Sequence, residues 1–167
     1  MAPTTAQAAH RSKSGFDLTP PSGEQFDRLV ADLDDEERRI ILDHGTERAF
    51  CGVFNAAKEA GIYVCRLCGL PFFRSGAKFE SGTGWPSFFD PVDREHIAFI
   101  RDFSYGMIRT EIRCARCDGH LGHVFNDGPP PTGERYCMNS ASMRFVAEGL
   151  PLPDLLGRGA PEGKPSA

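Results

Sequence analysis

Two C-x-x-C pairs constrain the fold of this chain more than any other feature. Cys65 and Cys68 lie in "VCRLCG", and Cys114 and Cys117 lie in "RCARCDG". Each turn directs two sulfurs to one point, and two such turns together form a tetrahedral four-thiolate site that suits Zn²⁺. The 45 residues between the pairs exceed the gap of a simple zinc ribbon. We therefore expect one structural zinc ion per chain, joining two sheets of a larger domain.

The paired cysteines have two other possible roles, as disulfides or as a redox-active motif. The N-terminal "MAPTTAQAAHRSKSGF" lacks the apolar stretch of a secretory signal, although its composition faintly resembles a transit peptide. We expect a cytoplasmic protein, and thiols stay reduced in that compartment. A thioredoxin-like C-x-x-C would open a helix in a βαβ pattern, which this sequence lacks. Four thiolates also fill the coordination sphere, so the predicted zinc has no position open for catalysis.

Charge and hydropathy exclude several classes of partner. The chain has 167 residues, a formal net charge of −4 and a pI near 5.7, with no basic stripe. Nucleic acid is therefore not an expected partner. No apolar run approaches the roughly 20 residues that a membrane span needs. The length suits one domain, and we expect a monomer.

The chain divides into three segments. Residues 1–21 are expected to be a flexible tail, residues 22–150 the folded domain, and residues 151–167 a largely disordered C-terminal tail. Two short helices are predicted in "EQFDRLVADL", after a Ser22 capping box, and in "DDEERRIILDHG". Beyond Thr46, short runs rich in β-branched and aromatic residues alternate with turn residues, as in "GIYVC", "HIAFIRDF", "MIRTEIRC" and "YCMNSASMRFV". This pattern of short runs and turns predicts a mainly β, antiparallel domain.

A fifth cysteine, Cys137 in "GERYCMNS", lies outside the pairs. A lone cysteine in a strand is more often a small buried hydrophobe than a nucleophile. Here Arg135 and Asn139 lie two residues away on either side, so a strand would direct all three side chains to one face. A guanidinium favours the reactive thiolate, and an amide can donate to an oxygen held near the sulfur.

Two further motifs carry side chains suited to chemistry. In "GHLGHVFNDG", His120 and His123 are candidates to donate a proton to a leaving oxygen, although His120 can equally brace the neighbouring zinc turn. In "SGTGWPSFF", the single tryptophan, Trp85, lies in a glycine-rich loop. It is either a core residue or an apolar wall for a small methyl-bearing group.

Taken together, these motifs resemble the methionine-R-sulfoxide reductase family, the B type of methionine sulfoxide reductases, over roughly residues 22–146. The resemblance implies two antiparallel sheets with short N-terminal helices and an enzyme that reduces methionine-R-sulfoxide in oxidised proteins and peptides, with thioredoxin as reductant, in protein repair under oxidative stress. It implies that Cys137 is the nucleophile and becomes a sulfenic acid. The other implied site residues are Trp85 for the substrate methyl group, His123 and Asn139 for the oxygen, and His120, Arg135 and Phe125 as further substrate-binding groups.

The chain departs from the family pattern at one position. Many members carry a resolving cysteine in the loop before the tryptophan, and this chain has Thr83 there. Cys51, in "TERAFCGVF", is the expected substitute, because the other four thiols are assigned to zinc. The prediction is a Cys51–Cys137 disulfide; if Cys51 does not reach the site, an external thiol must reduce the sulfenic acid.

Two other functions compete with this interpretation. A non-enzymatic zinc-binding module would need the paired cysteines, but it would not need Cys137 together with Trp85 and Asn139. A general thiol–disulfide oxidoreductase using Cys51 and Cys137 would be indifferent to Trp85.

Overall fold

The computed structural model describes residues 10–158. It contains two helices followed by nine strands, which are α1 (Gly23–Ala31), α2 (Asp35–Ile41), β1 (Gly61–Cys65), β2 (Pro71–Arg74), β3 (Lys78–Phe79), β4 (Ser87–Phe88), β5 (Ile97–Asp102), β6 (Arg109–Cys114), β7 (His120–Phe125), β8 (Arg135–Met138) and β9 (Met143–Ala147). The mainly β fold with short N-terminal helices is as predicted.

The strands form two antiparallel sheets. A three-stranded sheet has the order β2-β1-β9, and a six-stranded sheet has the order β3-β4-β8-β7-β6-β5. The run "YCMNSASMRFV" supplies one strand to each sheet, because residues Asn139–Ser142 turn the chain between β8 and β9. This crossing places the end of β8 at the junction of the sheets.

The core lies between the sheets and is rich in aromatic rings. Phe73 of β2 stacks on Phe88 of β4 with ring centroids 4.4 Å apart, and Tyr63 of β1 meets Phe88 edge-on at 5.1 Å. Alternation along β8 buries Tyr136 and Met138 completely in this core. The intervening residues of β8 therefore face away from the core.

Both helices begin where the sequence predicts. Ser22 Oγ accepts a hydrogen bond from Gln25 N–H, and the Gln25 side chain accepts one from Ser22 N–H. Asp34 and Glu37 form the same reciprocal cap at α2. No helix among residues 10–158 is both long and apolar enough to span a membrane.

The predicted N-terminal tail is packed against the domain where the structure describes it. Residues 1–9 lie outside the described part, but Phe16 and Leu18 are buried in the core. Ser14 donates its N–H and its hydroxyl to Asp93, at 2.9 and 2.7 Å. The buried His96 ring contacts Ser12 Oγ at 2.9 Å. The prediction of a flexible tail is therefore wrong for residues 10–18. The sequence of the segment does not reveal its packing, because its partners lie about 80 residues further along the chain.

The C-terminal segment also packs against the domain, as far as residue 158, where the described residues end. Leu152, Leu155 and Leu156 pack against the core, so the prediction of a largely disordered tail is wrong for these residues. Arg158 Nη1 donates to Thr19 O at 2.7 Å, which joins the two ends of the described chain. The disorder was predicted for residues 151–167, and positions 159–167 of that range lie outside the described residues.

Candidate active site

The four paired cysteines converge on one point between the sheets. Cys65 ends β1 of the smaller sheet, and Cys114 ends β6 of the larger one. All four thiols are buried, and their sulfurs lie within 4.8 Å of one another. Cys65 Sγ is 3.6 Å from Cys117 Sγ, and Cys68 Sγ is 3.5 Å from Cys114 Sγ. A tetrahedron with Zn–S bonds of about 2.3 Å has edges of about 3.8 Å, so this donor set fits a bound metal ion.

Cys137 occupies the centre of a row of side chains across the larger sheet. In the strand register, Cys137 pairs with Ser87 of β4 on one side and with His123 of β7 on the other. Directly paired residues place their side chains on the same face with Cβ atoms about 5 Å apart. Gly122 permits this close pairing, because a Cβ there would lie 1.9 Å from Cys137 O.

A cavity of about 240 Å³ opens over this row. Six of the predicted site residues line it, namely Trp85, His123, Phe125, Arg135, Cys137 and Asn139. Thr83, at the position of the usual resolving cysteine, lines it too. The structure thus brings together side chains from three sequence motifs around one half-buried thiol.

The surroundings of Cys137 favour its neutral form. Burial raises the pKa of the thiol to about 11, although the Arg135 guanidinium acts in the opposite direction. Arg135 is itself held by Asp127 through two hydrogen bonds of 2.9 and 3.1 Å. Its guanidinium also lies 4.4 Å from the centre of the Phe125 ring. Asp127 and the Phe125 ring therefore hold the Arg135 guanidinium in place beside the Cys137 thiol.

His123 is oriented by a carboxylate that the sequence did not reveal. Asp102, the last residue of β5, accepts a hydrogen bond from His123 Nε2 at 2.8 Å and one from Arg109 Nη2 at 3.2 Å. The hydrogen bond from His123 is the main cause of the lowered pKa of Asp102, so this carboxyl is ionised. With the Nε2 hydrogen committed to Asp102, the proton available for transfer is the one that Nδ1 carries when the ring is doubly protonated.

Trp85 is fixed by the loop that follows α2. Its indole Nε1–H donates to Glu47 O at 3.0 Å. The Glu47 N–H donates to the Asn139 side-chain oxygen at 2.9 Å, and its carboxylate accepts from Ser140 N–H. Burial raises the pKa of the Glu47 carboxyl. Glu47 therefore links the tryptophan wall of the cavity to the turn after β8.

Asn139 lines the cavity, but its amide makes structural hydrogen bonds. Its side-chain oxygen accepts from Glu47 N–H, and its Nδ2 donates to Leu121 O at 3.1 Å. These bonds hold the β8 end against β7. The predicted donation from Asn139 to a substrate oxygen would have to use the remaining amide hydrogen.

His120 does not line the cavity, contrary to its predicted substrate-binding role. A register shift between Ile112 and Arg113 pairs His120 with Arg113, on the same face as His123, and the two histidine rings lie 5.8 Å apart. The ring is buried, and its Nδ1 hydrogen-bonds to Glu111 at 2.6 Å. His120 therefore belongs to the Glu111 hydrogen-bond network rather than to the cavity wall.

Glu111 forms a second cluster with His120 and His44, close enough to hold a metal ion by distance alone. Arg113 already occupies both carboxylate oxygens of Glu111, at 3.0 and 2.8 Å. Burial opposes ionisation of Glu111, but its hydrogen bonds to Arg113, His120 and His44 together lower its pKa to about 2. The cation that compensates Glu111 is therefore Arg113, and this cluster is a structural network.

Cys51 is exposed and does not line the cavity, but its neighbours reach the site. Phe50 N–H donates to Gly84 O at 2.7 Å, next to Trp85. On the other side, Gly52 lies against Ser140, because a Cβ there would be 2.3 Å from Ser140 Oγ. The Cys51 loop thus runs between the tryptophan loop and the turn after β8.

Sequence reasoning missed Glu47, Asp102 and Arg109. Each is a charged residue with no local motif, and each reaches the site through strand pairing or loop packing over a long sequence distance. The "TER" before "AFCG" offered the one usable signal, a carboxylate immediately upstream of a candidate cysteine.

Comparison with known proteins agrees with this arrangement. The SelR domain model matches residues 33–147. A peptide methionine sulfoxide reductase MsrB of Caulobacter vibrioides is 59% identical over 152 residues, covering 91% of this chain and 96% of the relative. The MsrB of Xylella fastidiosa strain M23 is 61% identical over 144 residues, covering 86% and 93%. That of Pseudomonas aeruginosa strain UCBPP-PA14 is 56% identical over 121 residues, covering 72% and 92%.

Proposed function

This chain belongs to the SelR-domain family of MsrB peptide methionine sulfoxide reductases, and we propose that it reduces methionine-R-sulfoxide in proteins and peptides through Cys137. The observation that carries this proposal is the row in which Cys137 pairs with His123 beneath the Trp85 wall. Neither a zinc-binding module nor a simple disulfide oxidoreductase requires that row.

The cavity is suited to a sulfoxide side chain. Trp85 supplies an apolar face for the methyl group, and its indole N–H is already bonded to Glu47, so the ring cannot rotate freely. Phe125 supplies further apolar wall. The sulfoxide oxygen then points towards the polar side of the cavity, at His123. Only one epimer places its methyl group against Trp85 and its oxygen towards His123 while the lone pair of the sulfoxide sulfur points away from Cys137.

The first chemical step transfers oxygen from substrate to enzyme. The Cys137 thiolate attacks the sulfoxide sulfur, and the oxygen takes a proton because an unprotonated oxygen is a poor leaving group. His123, oriented by Asp102, is the proposed acid. The attack forms a bond between the Cys137 and methionine sulfurs; the protonated oxygen then breaks from the methionine sulfur as hydroxide and bonds to the Cys137 sulfur. Methionine leaves with the electron pair of the sulfur–sulfur bond, and Cys137 becomes a sulfenic acid.

The resting thiol has to lose its proton within the site. With its pKa raised by burial, Cys137 is mostly a thiol at neutral pH. Binding of a dipolar sulfoxide and the nearby Arg135 guanidinium favour the thiolate at the moment of attack. A protonated resting thiol also limits side reactions with other oxidants.

Cys51 is the proposed resolving residue. Its thiol attacks the Cys137 sulfenic acid, which forms a disulfide and releases water. Thioredoxin then reduces this disulfide with its own dithiol. The contacts of Phe50 with Gly84 and of Gly52 with Ser140 support a Cys51 loop close to the cavity. A disulfide requires the two Cα atoms to come within about 7 Å, so the exposed loop must supply any remaining movement.

The four-cysteine cluster is the proposed site of one structural zinc ion, held by Cys65, Cys68, Cys114 and Cys117. When bound, zinc supplies a covalent cross-link between the two sheets and no open coordination position. We further propose that residues 22–150 carry the catalytic machinery of a cytoplasmic monomer that repairs oxidised proteins, with residues 10–18 and Leu152, Leu155 and Leu156 packed against them.

Thiol mapping after one turnover tests this scheme. Pre-reduced, zinc-loaded protein is mixed with an R-sulfoxide peptide in the absence of reductant, and the thiols are mapped by mass spectrometry. We expect a Cys51–Cys137 disulfide in the wild type and a dimedone-trapped Cys137 sulfenic acid in Cys51→Ser. Trapped sulfenic acid with free Cys51 in the wild type would refute the resolver but keep the nucleophile.

A further inference from the structure

The hairpin between β5 and β6 exposes a cluster of large apolar side chains beside the cavity. Within residues 103–108, Phe103, Tyr105, Met107 and Ile108 are all exposed, Tyr105 by 88% and Ile108 by 70%. Four exposed apolar residues in a run of six are more than scattered surface hydrophobics, and such patches mark interaction sites. The proposed mechanism uses none of them.

The base of this hairpin is part of the site. Asp102 and Arg109 pair across the two strands, immediately before and after the apolar run. Asp102 is the carboxylate that holds His123, and Arg109 lines the cavity. A polypeptide that contacts the hairpin tip therefore lies close to Asp102, which holds the proposed acid His123.

A groove of about 380 Å³ continues from the cavity along the same side. Arg109 and Phe125 line both spaces, so the two are contiguous. The groove is lined by apolar Phe99, Ile108 and Val124 and by polar Arg94, Thr110 and Asn126. Its edge carries the Arg94–Glu134 ion pair, with Nη1 and Oε1 2.7 Å apart.

The size of the cavity indicates which part of a peptide substrate lies outside it, next to the groove. A space of about 240 Å³ accommodates one methionine sulfoxide side chain but not the peptide that carries it. The polypeptide on either side of the sulfoxide must leave across the rim, and the hairpin tip, next to the groove, forms an apolar part of that rim. Resting on the function proposed above, we propose that this surface binds an apolar residue flanking the methionine sulfoxide of an extended polypeptide substrate.

Two peptides and a small substrate test this proposal. The peptides carry a central methionine-R-sulfoxide flanked by leucine in one and by serine in the other, and the small substrate is N-acetyl-methionine-R-sulfoxide. We expect kcat/KM about tenfold higher for the leucine-flanked peptide than for the serine-flanked one, a difference of about 1.4 kcal/mol. Equal values in the wild type overturn the proposal.

Variants locate the preference on the surface. The double variant Tyr105→Ser with Ile108→Ser should reduce the tenfold ratio between the peptides to about twofold or less. The matched control Leu150→Ser removes another exposed apolar side chain, outside both cavities, and should keep the ratio. Because each ratio is measured within one protein preparation, partial loss of folded enzyme cancels. An unchanged ratio in the double variant overturns the assignment.

Two other outcomes are informative. If the wild type produces no methionine from either peptide or from N-acetyl-methionine-R-sulfoxide, the proposed function fails before the surface is tested. If sedimentation instead shows a dimer that the double variant dissociates, the surface binds a second copy of this chain, and the polypeptide assignment is overturned.

Discussion

Cys137 should react with alkylating agents as a protonated, shielded thiol, and the Arg135 guanidinium should set how far its pKa is raised. Burial raises that pKa to about 11, and Arg135 opposes the rise. Replacing Arg135 by methionine removes the charge while keeping an apolar stem over the Phe125 ring. The thiol of the variant should therefore be harder to ionise than that of the wild type.

The expected rates follow from the fraction of thiolate. At pH 8, a thiol with a pKa of about 11 is ionised in about one molecule in a thousand, against about one in four for an ordinary cysteine with a pKa of about 8.5. The alkylation rate should therefore rise about tenfold per pH unit from pH 7 to about pH 10. Loss of a neighbouring cation shifts a pKa by about one unit, so Arg135→Met should be about tenfold slower.

The assay uses iodoacetamide on zinc-loaded Cys51→Ser protein, with Cys137 modification followed by mass spectrometry. Arg94→Met is a matched control, because Arg94 also stacks on an aromatic ring, 4.5 Å from the centre of Phe99, and does not line the cavity. The control should keep the wild-type profile. A rate that levels off by pH 8, or equal rates for the two arginine variants, would refute the reasoning.

Other substitutions and metal removal give further expected outcomes. Asp102→Asn should lower kcat about 100-fold with a small change in KM, because His123 loses the carboxylate that orients it; an unchanged kcat would exclude His123 as the oriented acid. Glu47→Gln keeps the acceptor for Ser140 but removes a charge that disfavours the Cys137 thiolate, so alkylation at pH 8 should be about threefold faster rather than slower. Chelation of the metal should expose four reactive thiols and lower Tm by about 10 °C or more, measured by calorimetry with metal analysis; a stable chelated protein would argue against a structural ion.

The sequence predicted the parts of the site that lie in compact motifs. The C-x-x-C turns carry their own geometry, so their convergence between two sheets followed from spacing alone. Alternation along β8 likewise predicted that Arg135 and Cys137 face one side. These are local properties, in which the residue pattern itself determines which direction each side chain takes.

The remaining contacts depend on long-range register and could not be read locally. Asp102 reaches His123 because β5 and β7 flank β6, an order that no short motif encodes. His120 and His123 lie on the same face only because of a one-residue shift in the β6–β7 pairing, since strict alternation would put residues three apart on opposite faces. A shift of this kind changes the face on which a side chain lies without any signal in its own sequence.

The packed N-terminal segment illustrates the same limit. Residues 10–18 are polar in composition and resemble a tail, yet Phe16 meets the buried His96 ring edge-on at 5.1 Å. The carboxylate of Asp93 accepts the hydrogen bonds of Ser14. Composition predicts whether a segment can form its own core, but not whether a distant surface will bind it.

The most direct test of the central claim is the amount of methionine formed by pre-reduced enzyme without any reductant, measured separately for the R and S epimers. The account predicts about one equivalent of methionine per chain from the R epimer, essentially none from the S epimer, and none from either with Cys137→Ser. Methionine formed by the folded, metal-loaded Cys137→Ser protein, or equal yields from the two epimers, would contradict it.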